Sequence, residues 1–525
     1  MDQLPNEILE TIFYNLSLED RKRASEVCRR WSSVVLSRNR LNDVLLKVFY
    51  QDRSKDDYAQ VLSLSERAYK RVAIKLSDAT KDVVLEVLHK CGNSLEWLLV
   101  EGIDDDSAKQ ISSDEFVTTF CRCVLSMSSL KELRLVGLNI KFRRFEDIIL
   151  PEMSHLSQLE TLYLDDGSME FGCFDWNQIA PNVKCLYFPH NENAIKFYEM
   201  LSFYSNRLEK IGLTTDHPDK YFNELAEEVT FPKVHSLSLL CYRLPRFGHA
   251  TQFFQRFNNL TSLTVGFAIS SETLNLIVSK FPSLEHVQLY ETLPEDVFIS
   301  LSRLPKLRHL TLKAIGYDYW QMSPNHVLPS LQQLTIHLME WENVGNFYRV
   351  LSQIAPKLEC YEFIAGDGEA HMPHICQHLV NIKRLAFDGW DGDLEHSNFI
   401  KLYRLSKLTD LRLNSYWDTF YWSKIPRTTS VRRLFISWDQ RVHIPDPARE
   451  EREWRQMIKC LPSLELLQIA TGLTETAEQQ RKLEELLAPS GCRVEFNGVN
   501  IRRGQIFQPG VTDCNRQAET WLMRP

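Results

Sequence analysis

A short pattern of apolar residues, L-x-x-L-x-L with aliphatic or aromatic substitutes, recurs through most of this 525-residue chain. Successive copies are mostly about 23 to 27 residues apart, a spacing typical of solenoids in which every repeat contributes one strand. A core built this way extends along the stack of repeats and does not form a single compact centre. Fifteen copies occur, beginning at Leu95, Leu130, Leu159, Val183, Leu208, Val234, Leu260, Leu284, Leu307, Leu331, Leu358, Ile382, Leu408, Val431 and Leu464.

Two further segments extend the array. Tyr69 begins a weaker first copy, and Val494 with Phe496 predicts a terminal strand. Proline also recurs with the repeat period, and it stops a preceding helix and favours extended backbone before it. Each repeat is therefore predicted to contain a strand, a loop, a helix such as residues 272–279 and a proline stop. The prolines lie two residues before the first repeat position: Pro181, Pro232, Pro282, Pro305, Pro329, Pro356 and Pro462.

The amino terminus has a helical pattern instead. Pro5 suits the first turn of a helix, where its missing N–H costs nothing. Ser17, with Asp20 three residues later, is typical of a helix start. A unit of three short helices buries little of its own surface, so part of its apolar stripe is expected to face a partner. The first stripe comprises Ile8, Leu9, Ile12, Phe13 and Leu16, and a second, predicted on one following helix, comprises Val27, Trp31, Val34 and Val35.

This segment resembles an F-box, through its Leu4-Pro5 start, the first apolar stripe, Asp20 and the ending Val27-Cys28-Arg29-Arg30-Trp31. The resemblance implies an F-box over residues 1–45, followed by a linker over 46–65. It also implies a surface that binds a Skp-family adaptor. An ordinary helical hairpin that packs on its own chain is the alternative. The implied adaptor-binding residues are Leu4, Pro5, Ile8, Leu9, Ile12, Phe13, Leu16, Val27 and Trp31.

Residues 66–496 resemble the leucine-rich repeats of F-box proteins, in about 15 to 16 copies. The resemblance implies an α/β fold: a horseshoe with parallel strands on the concave face and helices on the convex face. The Cys or Asn that many such repeats carry after the strand is not constant here, so an irregular outer turn is expected. Residues 497–525 lack the pattern and are either a cap or a tail.

Together the two resemblances imply the substrate-recognition subunit of a Skp–cullin–F-box ubiquitin ligase. Such a subunit is not an enzyme and needs no cofactor. It binds the adaptor, and through it a cullin, as a monomer within the complex, while its repeats bind a target protein. Two alternatives remain open: an interaction scaffold not coupled to ubiquitination, and an enzyme with an unrecognised site.

Strand side chains alternate between the two faces of a sheet, so the x positions of each repeat face away from the core. In the amino-terminal and central repeats these positions are polar, as at Tyr163, His286, Gln288, His309 and Gln333. Charges follow on three successive later strands, including Asp410, and aromatic residues such as Trp320 lie just past several strands. We expect the target surface there, although each ring has the alternative of folding back over the core. The candidate substrate-binding residues are Arg384, Asp388, Trp390, Arg412, Tyr416, Trp417, Phe420, Arg433 and Trp438.

Bulk properties favour an intracellular protein, in the cytoplasm, the nucleus or both. The formal net charge of −8 gives no reason to expect nucleic-acid binding. No apolar run reaches the roughly eighteen residues of a membrane span. The twelve cysteines include no C-x-x-C pair, which favours reduced thiols over a disulfide framework.

Motifs for catalysis are not found. The sequence has no P-loop, G-x-G-x-x-G, H-E-x-x-H or G-x-S-x-G motif. His371, His374, Cys376 and His378 have spacings that a zinc site uses, but Pro373 disturbs the helix start there. Imidazoles on a solvent-facing helix are the simpler prediction, and no metal site is expected.

Overall fold

The computed structural model describes eighteen segments of the chain. They belong to two compact units, one comprising Met1–Asp216 and Lys220–Val234, the other His217–Asp219 and His235–Pro525. Both units contain helices and strands, as expected of an α/β protein. The described residues are 4–16, 18–35, 45–48, 69–77, 80–102, 114–138, 156–164, 174–189, 194–215, 229–241, 252–314, 320–338, 344–365, 371–389, 401–415, 427–438, 447–471 and 477–497.

The first unit begins with three short helices and continues with strands and helices in alternation. Its strands are β1 (Leu45–Val48), β2 (Arg71–Leu76), β3 (Trp97–Gly102), β4 (Glu132–Val136), β5 (Thr161–Leu164), β6 (Cys185–Pro189) and β7 (Lys210–Thr215). Its helices are α1 (Asn6–Tyr14), α2 (Leu18–Val27), α3 (Arg29–Val35), α4 (Lys81–Cys91), α5 (Asp114–Leu125), α6 (Trp176–Ile179) and α7 (Ala194–Tyr204).

The second unit repeats the same alternation. Its strands are β8 (Ser236–Cys241), β9 (Ser262–Gly266), β10 (His286–Glu291), β11 (His309–Ala314), β12 (Gln333–Leu338), β13 (Cys360–Ala365), β14 (Arg384–Gly389), β15 (Asp410–Ser415), β16 (Arg433–Trp438), β17 (Leu466–Thr471) and β18 (Arg493–Asn497). Its helices are α8 (Ser271–Lys280), α9 (Val297–Leu301), α10 (Val344–Ile354), α11 (Met372–His378), α12 (Pro447–Cys460) and α13 (Ala477–Leu487).

Within each unit, neighbouring strands pair in parallel and in chain order, from β1 to β7 and from β8 to β18. The register aligns equivalent repeat positions, as where Leu310 pairs with Leu334 and Leu312 with Ile336. This order is that of a repeat solenoid, which confirms the parallel-strand repeat architecture. The curvature of the predicted horseshoe stays a prediction.

The apolar repeat positions form the core. Leu98 and Val100 of β3 are fully buried, and so is Leu95 just before the strand. In the repeat that contains α8, Leu274, Ile277 and Val278 form the buried side of the helix. Burying each such side chain stabilises the fold by about 1.5–3 kcal/mol. The repetition of these positions therefore accounts for a core that extends from repeat to repeat.

Helix α8 ends at the predicted proline stop, and the structure adds a capping residue at its start. The Ser270 hydroxyl accepts a hydrogen bond from the backbone N–H of Thr273 at 3.2 Å, which caps the amino-terminal end. The helix ends at Lys280, two residues before Pro282. Because proline disfavours helical backbone in the residue before it, the following strand begins at the same point of each repeat that has this proline.

Strand β1 is an element that the repeat pattern does not reveal. It pairs in parallel with β2, so that Leu46 lies opposite Val72 and Val48 opposite Ile74. The sheet of the first unit therefore begins before residue 66, where the repeats were predicted to start. At the other end of the chain, β18 confirms the predicted terminal strand.

A ladder of charges precedes the strands of the first unit. The residue just before the strand alternates in sign over successive repeats, from Lys70 through Glu96, Lys131 and Glu160 to Lys184. Glu96 Oε1 lies 2.6 Å from Lys70 Nζ and Glu96 Oε2 lies 2.7 Å from Lys131 Nζ. These bonds to Lys131 and Lys70 lower the pKa of the Glu96 carboxyl. A shift by one repeat would place like charges together, so the ladder favours the observed strand pairing.

Among the described residues, no helix combines the length and the apolar character needed to cross a bilayer.

Candidate functional site

Helices α1, α2 and α3 form a small module with its own core. Five side chains are buried in it: Leu9, Phe13, Ala24, Val34 and Val35. Leu4, Leu16 and Trp31 are partly buried against this cluster. The Phe13 and Trp31 rings meet edge to face with their centroids 5.2 Å apart, which joins α1 to α3. The module is therefore held together from inside by part of the predicted apolar stripe.

The start of α1 is fixed by Pro5 and Arg30. Pro5 lies one residue before the helix, and its carbonyl oxygen accepts hydrogen bonds from the N–H groups of Ile8 and Leu9, both at 3.1 Å. The Arg30 guanidinium donates to the carbonyl oxygen of Leu4 and to Asn6 Oδ1, with Nε 3.0 Å from the latter. Helix α3 thereby holds the Leu4-Pro5 turn in place.

The second predicted stripe does not lie on one helix, which corrects the sequence prediction. Helix α2 ends at Val27, Cys28 separates the two helices, and α3 begins at Arg29. As a result Val27 is exposed, whereas Val34 and Val35 face the module core. The proposed capping residue Ser17 lies outside the described residues.

The nine predicted adaptor-binding residues divide into an inner and an outer group. The inner group comprises Leu4, Leu9, Phe13, Leu16 and Trp31, which form or contact the module core. In the outer group Pro5 is exposed, and Ile8, Ile12 and Val27 keep 48%, 38% and 64% of their surface exposed. Ile8 and Ile12 are four residues apart on α1 and so lie on one side of the helix. These two isoleucines therefore form a small exposed apolar patch on α1.

The charged strand positions of the second unit do lie side by side. The register places Arg384, Asp410 and Arg433 in one row across β14, β15 and β16. Asp410 is buried, and its carboxylate forms an ion pair with Arg433 and accepts a hydrogen bond from the Thr409 hydroxyl at 2.6 Å. The Arg433 side chain is largely exposed, so this arginine is held in position at the surface by a buried carboxylate.

Arg412 lies in the next row, between Ala386 and Phe435. Its side chain is buried, contrary to the expectation that it projects from the strand into solvent. The guanidinium carbon lies 5.1 Å from the centroid of the Phe435 ring. This cation–π contact with Phe435 of the neighbouring strand holds the long arginine side chain against the sheet.

The predicted aromatic rim is described only in part. Trp390, Tyr416, Trp417 and Phe420 lie outside the described residues. Asp388 and Trp438 are placed by their backbones as the fifth and sixth residues of β14 and β16, and their side chains lie outside the described atoms. Trp320 is another aromatic residue that follows a strand, and its ring packs edge to face on the buried Phe298 with the centroids 5.4 Å apart. For this one tryptophan, folding over the core is the observed arrangement.

The first unit carries an aromatic and cationic cluster that sequence reasoning missed. The Trp97 ring has two arginine neighbours, with the guanidinium carbons of Arg71 and Arg134 at 5.2 Å and 5.7 Å from the ring. Arg134 also forms an ion pair with Glu132 on its own strand. All four residues occupy x positions of β2, β3 and β4. The signal in the sequence is the run of aromatic and charged residues at the x positions of the first repeats.

The histidine cluster is not arranged as predicted. His371, at the start of α11, is buried, where a solvent-facing imidazole was expected. Its ring lies 4.3 Å from that of Phe363, and burial lowers the pKa of its imidazole to about 3. His374 and His378 are half-buried and parallel at 6.4 Å. In the described segments, no three or more His, Cys, Asp or Glu residues are grouped so as to hold a metal ion.

Comparison with known proteins bears on the helical module. The F-box-like family model matches residues 1–41, which include α1, α2 and α3. No curated relative matches the chain. The match covers the segment in which an apolar core coexists with exposed isoleucine and valine side chains. The amino-terminal segment of this chain is therefore an F-box-like module.

Proposed function

We propose that this protein is the substrate-recognition subunit of a Skp–cullin–F-box ubiquitin ligase. One observation carries the proposal: the F-box-like segment presents Ile8, Ile12 and Val27 outward although its own core is already filled. None of these three side chains belongs to the module core or to the partly buried residues packed against it. A surface for the Skp-family adaptor explains both their character and their exposure.

Burial energies define what such a docking surface needs. Burying one isoleucine contributes about 1.5–3 kcal/mol. Because Ile8, Ile12 and Val27 are already about half covered, together they contribute roughly 2 to 5 kcal/mol on that scale, against an association cost of about 4–15 kcal/mol. A stable complex therefore also needs Pro5, polar contacts around the patch and the exposed parts of the inner residues.

In this proposal the chain performs no chemistry itself. The repeats hold a target protein, and the ligase brings a ubiquitin-conjugating enzyme to the same assembly. The rate of transfer rises because a target lysine and the loaded enzyme are held together at high effective concentration. The exposed Arg433, fixed by the buried Asp410, supports a target contact at β14–β16. The assembly would act in the cytoplasm, the nucleus or both.

The test is co-purification of the full chain with the Skp-family adaptor and a cullin from cells. We expect the wild-type chain to recover both, and Ile8→Ala with Ile12→Ala to lose both. The matched control is Val380→Ala, which truncates an exposed valine of the second unit and should recover both proteins. Equal recovery by the double variant and the wild type would refute the proposal. Recovery of the adaptor without any cullin would favour the alternative of a scaffold not coupled to ubiquitination.

A further inference from the structure

Three neighbouring strands of the second unit present an entirely polar sheet face, opposite their buried apolar positions. The register aligns its side chains in three rows across β10, β11 and β12. We call this set of nine residues the polar face. No aliphatic side chain interrupts it. The rows are His286, His309 and Gln333; Gln288, Thr311 and Thr335; and Tyr290, Lys313 and His337.

Hydrogen bonds fix the borders of the polar face. Gln288 Oε1 accepts from the hydroxyls of Thr264 and Tyr290, at 3.1 Å and 3.3 Å. On the other side the Thr335 hydroxyl donates to Glu362 Oε2 at 3.3 Å. These groups already have partners within the protein, and Gln288, Tyr290 and Thr335 are buried. On the neighbouring strand β11, between the two borders, the His309 ring contacts that of His286, with the centroids 4.4 Å apart, and Lys313 lies on the same strand.

Lys313 is the cation of the polar face and lies in its last row, on the middle strand. Its side chain is half-buried, and among the described residues it makes no hydrogen bond and no ion pair. Burial lowers the pKa of its amine, while the charge of Glu291 acts in the opposite direction. A partly desolvated charge without a close counter-charge is unfavourable. Lys313 would therefore gain stability from an anionic group bound next to it.

One imidazole lies next to the lysine, and a second lies about 13 Å away at the other end of the same strand face. His337 lies beside Lys313 in the same row, and His309 lies four residues before it on the same side of β11. Burial lowers the pKa of His337 to about 3 and that of His309 to about 4. Both rings are therefore neutral at neutral pH, and each offers one N–H donor. A hydrogen-bond donor next to a cation, as His337 is to Lys313, suits an oxygen anion.

We propose that the polar face binds an acidic segment of a target protein, with Lys313 pairing with one Asp or Glu carboxylate, His337 donating a hydrogen bond to that carboxylate, and His309 donating to a second one about 13 Å along the strand. The proposal rests on the function proposed above, since it names the chemistry of the substrate. Charge complementarity favours this occupant over an apolar or basic segment, because the face has no aliphatic surface and its cation forms no ion pair with a described residue, Glu291 acting on it only from a distance. Three strands about 4.8 Å apart, each with three side chains on one face, cover roughly 10 by 13 Å, enough for several residues of extended chain.

The experiment uses the full chain and a fluorescent peptide of eight glutamates, with eight glutamines as the neutral probe. We expect the wild type to bind the glutamate peptide at least tenfold more tightly than the glutamine peptide, in anisotropy titrations at fixed salt. Lys313→Gln should abolish that preference. The matched control is Lys383→Gln, which removes an exposed lysine paired with Glu359 and should leave the preference intact.

Three outcomes would overturn the proposal. They are no preference for glutamate over glutamine in the wild type, an unchanged preference in Lys313→Gln, or tighter binding of a phosphoserine peptide than of the glutamate peptide. Adaptor co-purification is measured on the same variants and should not change with Lys313→Gln. A chain that recovers the adaptor but ignores the peptide refutes only this inference. A chain that binds the peptide but never recovers the adaptor refutes the proposed function instead.

Discussion

The hydroxyl of Tyr348 lies 3.1 Å from Nδ1 of His371, in the interior of the second unit. The same hydroxyl lies 2.9 Å from the hydroxyl of Tyr361, a residue that occupies a core position of its repeat. A helix, a strand and the start of the next helix thus meet in one buried polar contact. Because buried polar groups are costly without partners, this contact makes the packing of α10, β13 and α11 specific.

The burial of His371 predicts that stability falls at mildly acidic pH. Its pKa is lowered to about 3, whereas a histidine in the unfolded chain titrates near 6.5. As the pH falls below about 6.5, the unfolded chain takes up a proton that the folded chain excludes, so unfolding becomes more favourable. From pH 6.5 to 4.5 this group alone should cost about 2 kcal/mol. Urea unfolding of the wild type and His371→Gln at the two pH values measures it.

The variant should lose less stability than the wild type over this pH interval, because glutamine retains a hydrogen-bonding group but does not titrate. Other buried histidines, such as His337, contribute the same slope to both proteins and cancel in the comparison. Equal pH slopes for the two proteins would contradict the assigned burial of His371.

The geometry of the two tyrosines predicts unequal costs for removing their hydroxyls. Tyr348→Phe deprives both Tyr361 and His371 of a hydrogen bond, so we expect a loss of about 1–3 kcal/mol in the free energy of unfolding. Tyr361→Phe removes one bond and leaves the bond between Tyr348 and His371, so its cost should be smaller. Denaturant titration at pH 7 measures both. The reverse order would show that Tyr348 is not the centre of the contact.

Gly212 of β7 predicts a steric effect in the first unit. A Cβ atom at this position would lie 2.1 Å from Cδ1 of Tyr187, so the tyrosine ring must move if alanine is introduced. We expect Gly212→Ala to destabilise the protein by about 1–3 kcal/mol, through forced repacking. Gly92→Ala is the matched control, since its Cβ would meet Met127 at an ordinary 3.5 Å. Similar melting temperatures for both variants would argue against the close approach of Tyr187.

Much of the fold was predictable from the sequence, because every repeat places apolar residues at the same core positions and so gives the sequence a regular spacing. Leu310 and Leu334 could be assigned to adjacent strands, since each apolar position recurs once per repeat. Strand β1 could not, because it is only four residues long and lies ahead of the first recognisable copy. Register, once known, also placed Arg384, Asp410 and Arg433 in one row.

The remaining differences come from tertiary contacts that no local pattern encodes. His371 precedes its helix, so helical periodicity does not apply to it, and its burial depends on Tyr348 of another repeat. The break at Cys28 has no proline or glycine to mark it. Which apolar residues of α1 face inward depends on how α3 packs, and the sequence stripe alone contains both the inner and the outer group.

The division within α1 predicts that truncating two adjacent residues has unequal effects on the stability of the module. Leu9 is fully buried in the module core, so Leu9→Ala should destabilise the module by about 2–5 kcal/mol. Ile8 is half-exposed, so Ile8→Ala should change that stability little. Hydrogen exchange of the α1–α3 amides in the full chain measures both. Faster exchange in Ile8→Ala than in Leu9→Ala would contradict the assignment of inner and outer residues.

The most direct measurement of the central claim is the affinity of the purified full chain for a purified Skp-family adaptor. Ile8→Ala with Ile12→Ala should weaken binding about tenfold or more, because the surface that the two side chains still expose is worth roughly 1.3–2.6 kcal/mol together and tenfold corresponds to about 1.4 kcal/mol. The melting temperature should stay that of the wild type. Unchanged affinity, or affinity lost only together with the fold of the module, would contradict the account of this segment as a docking surface.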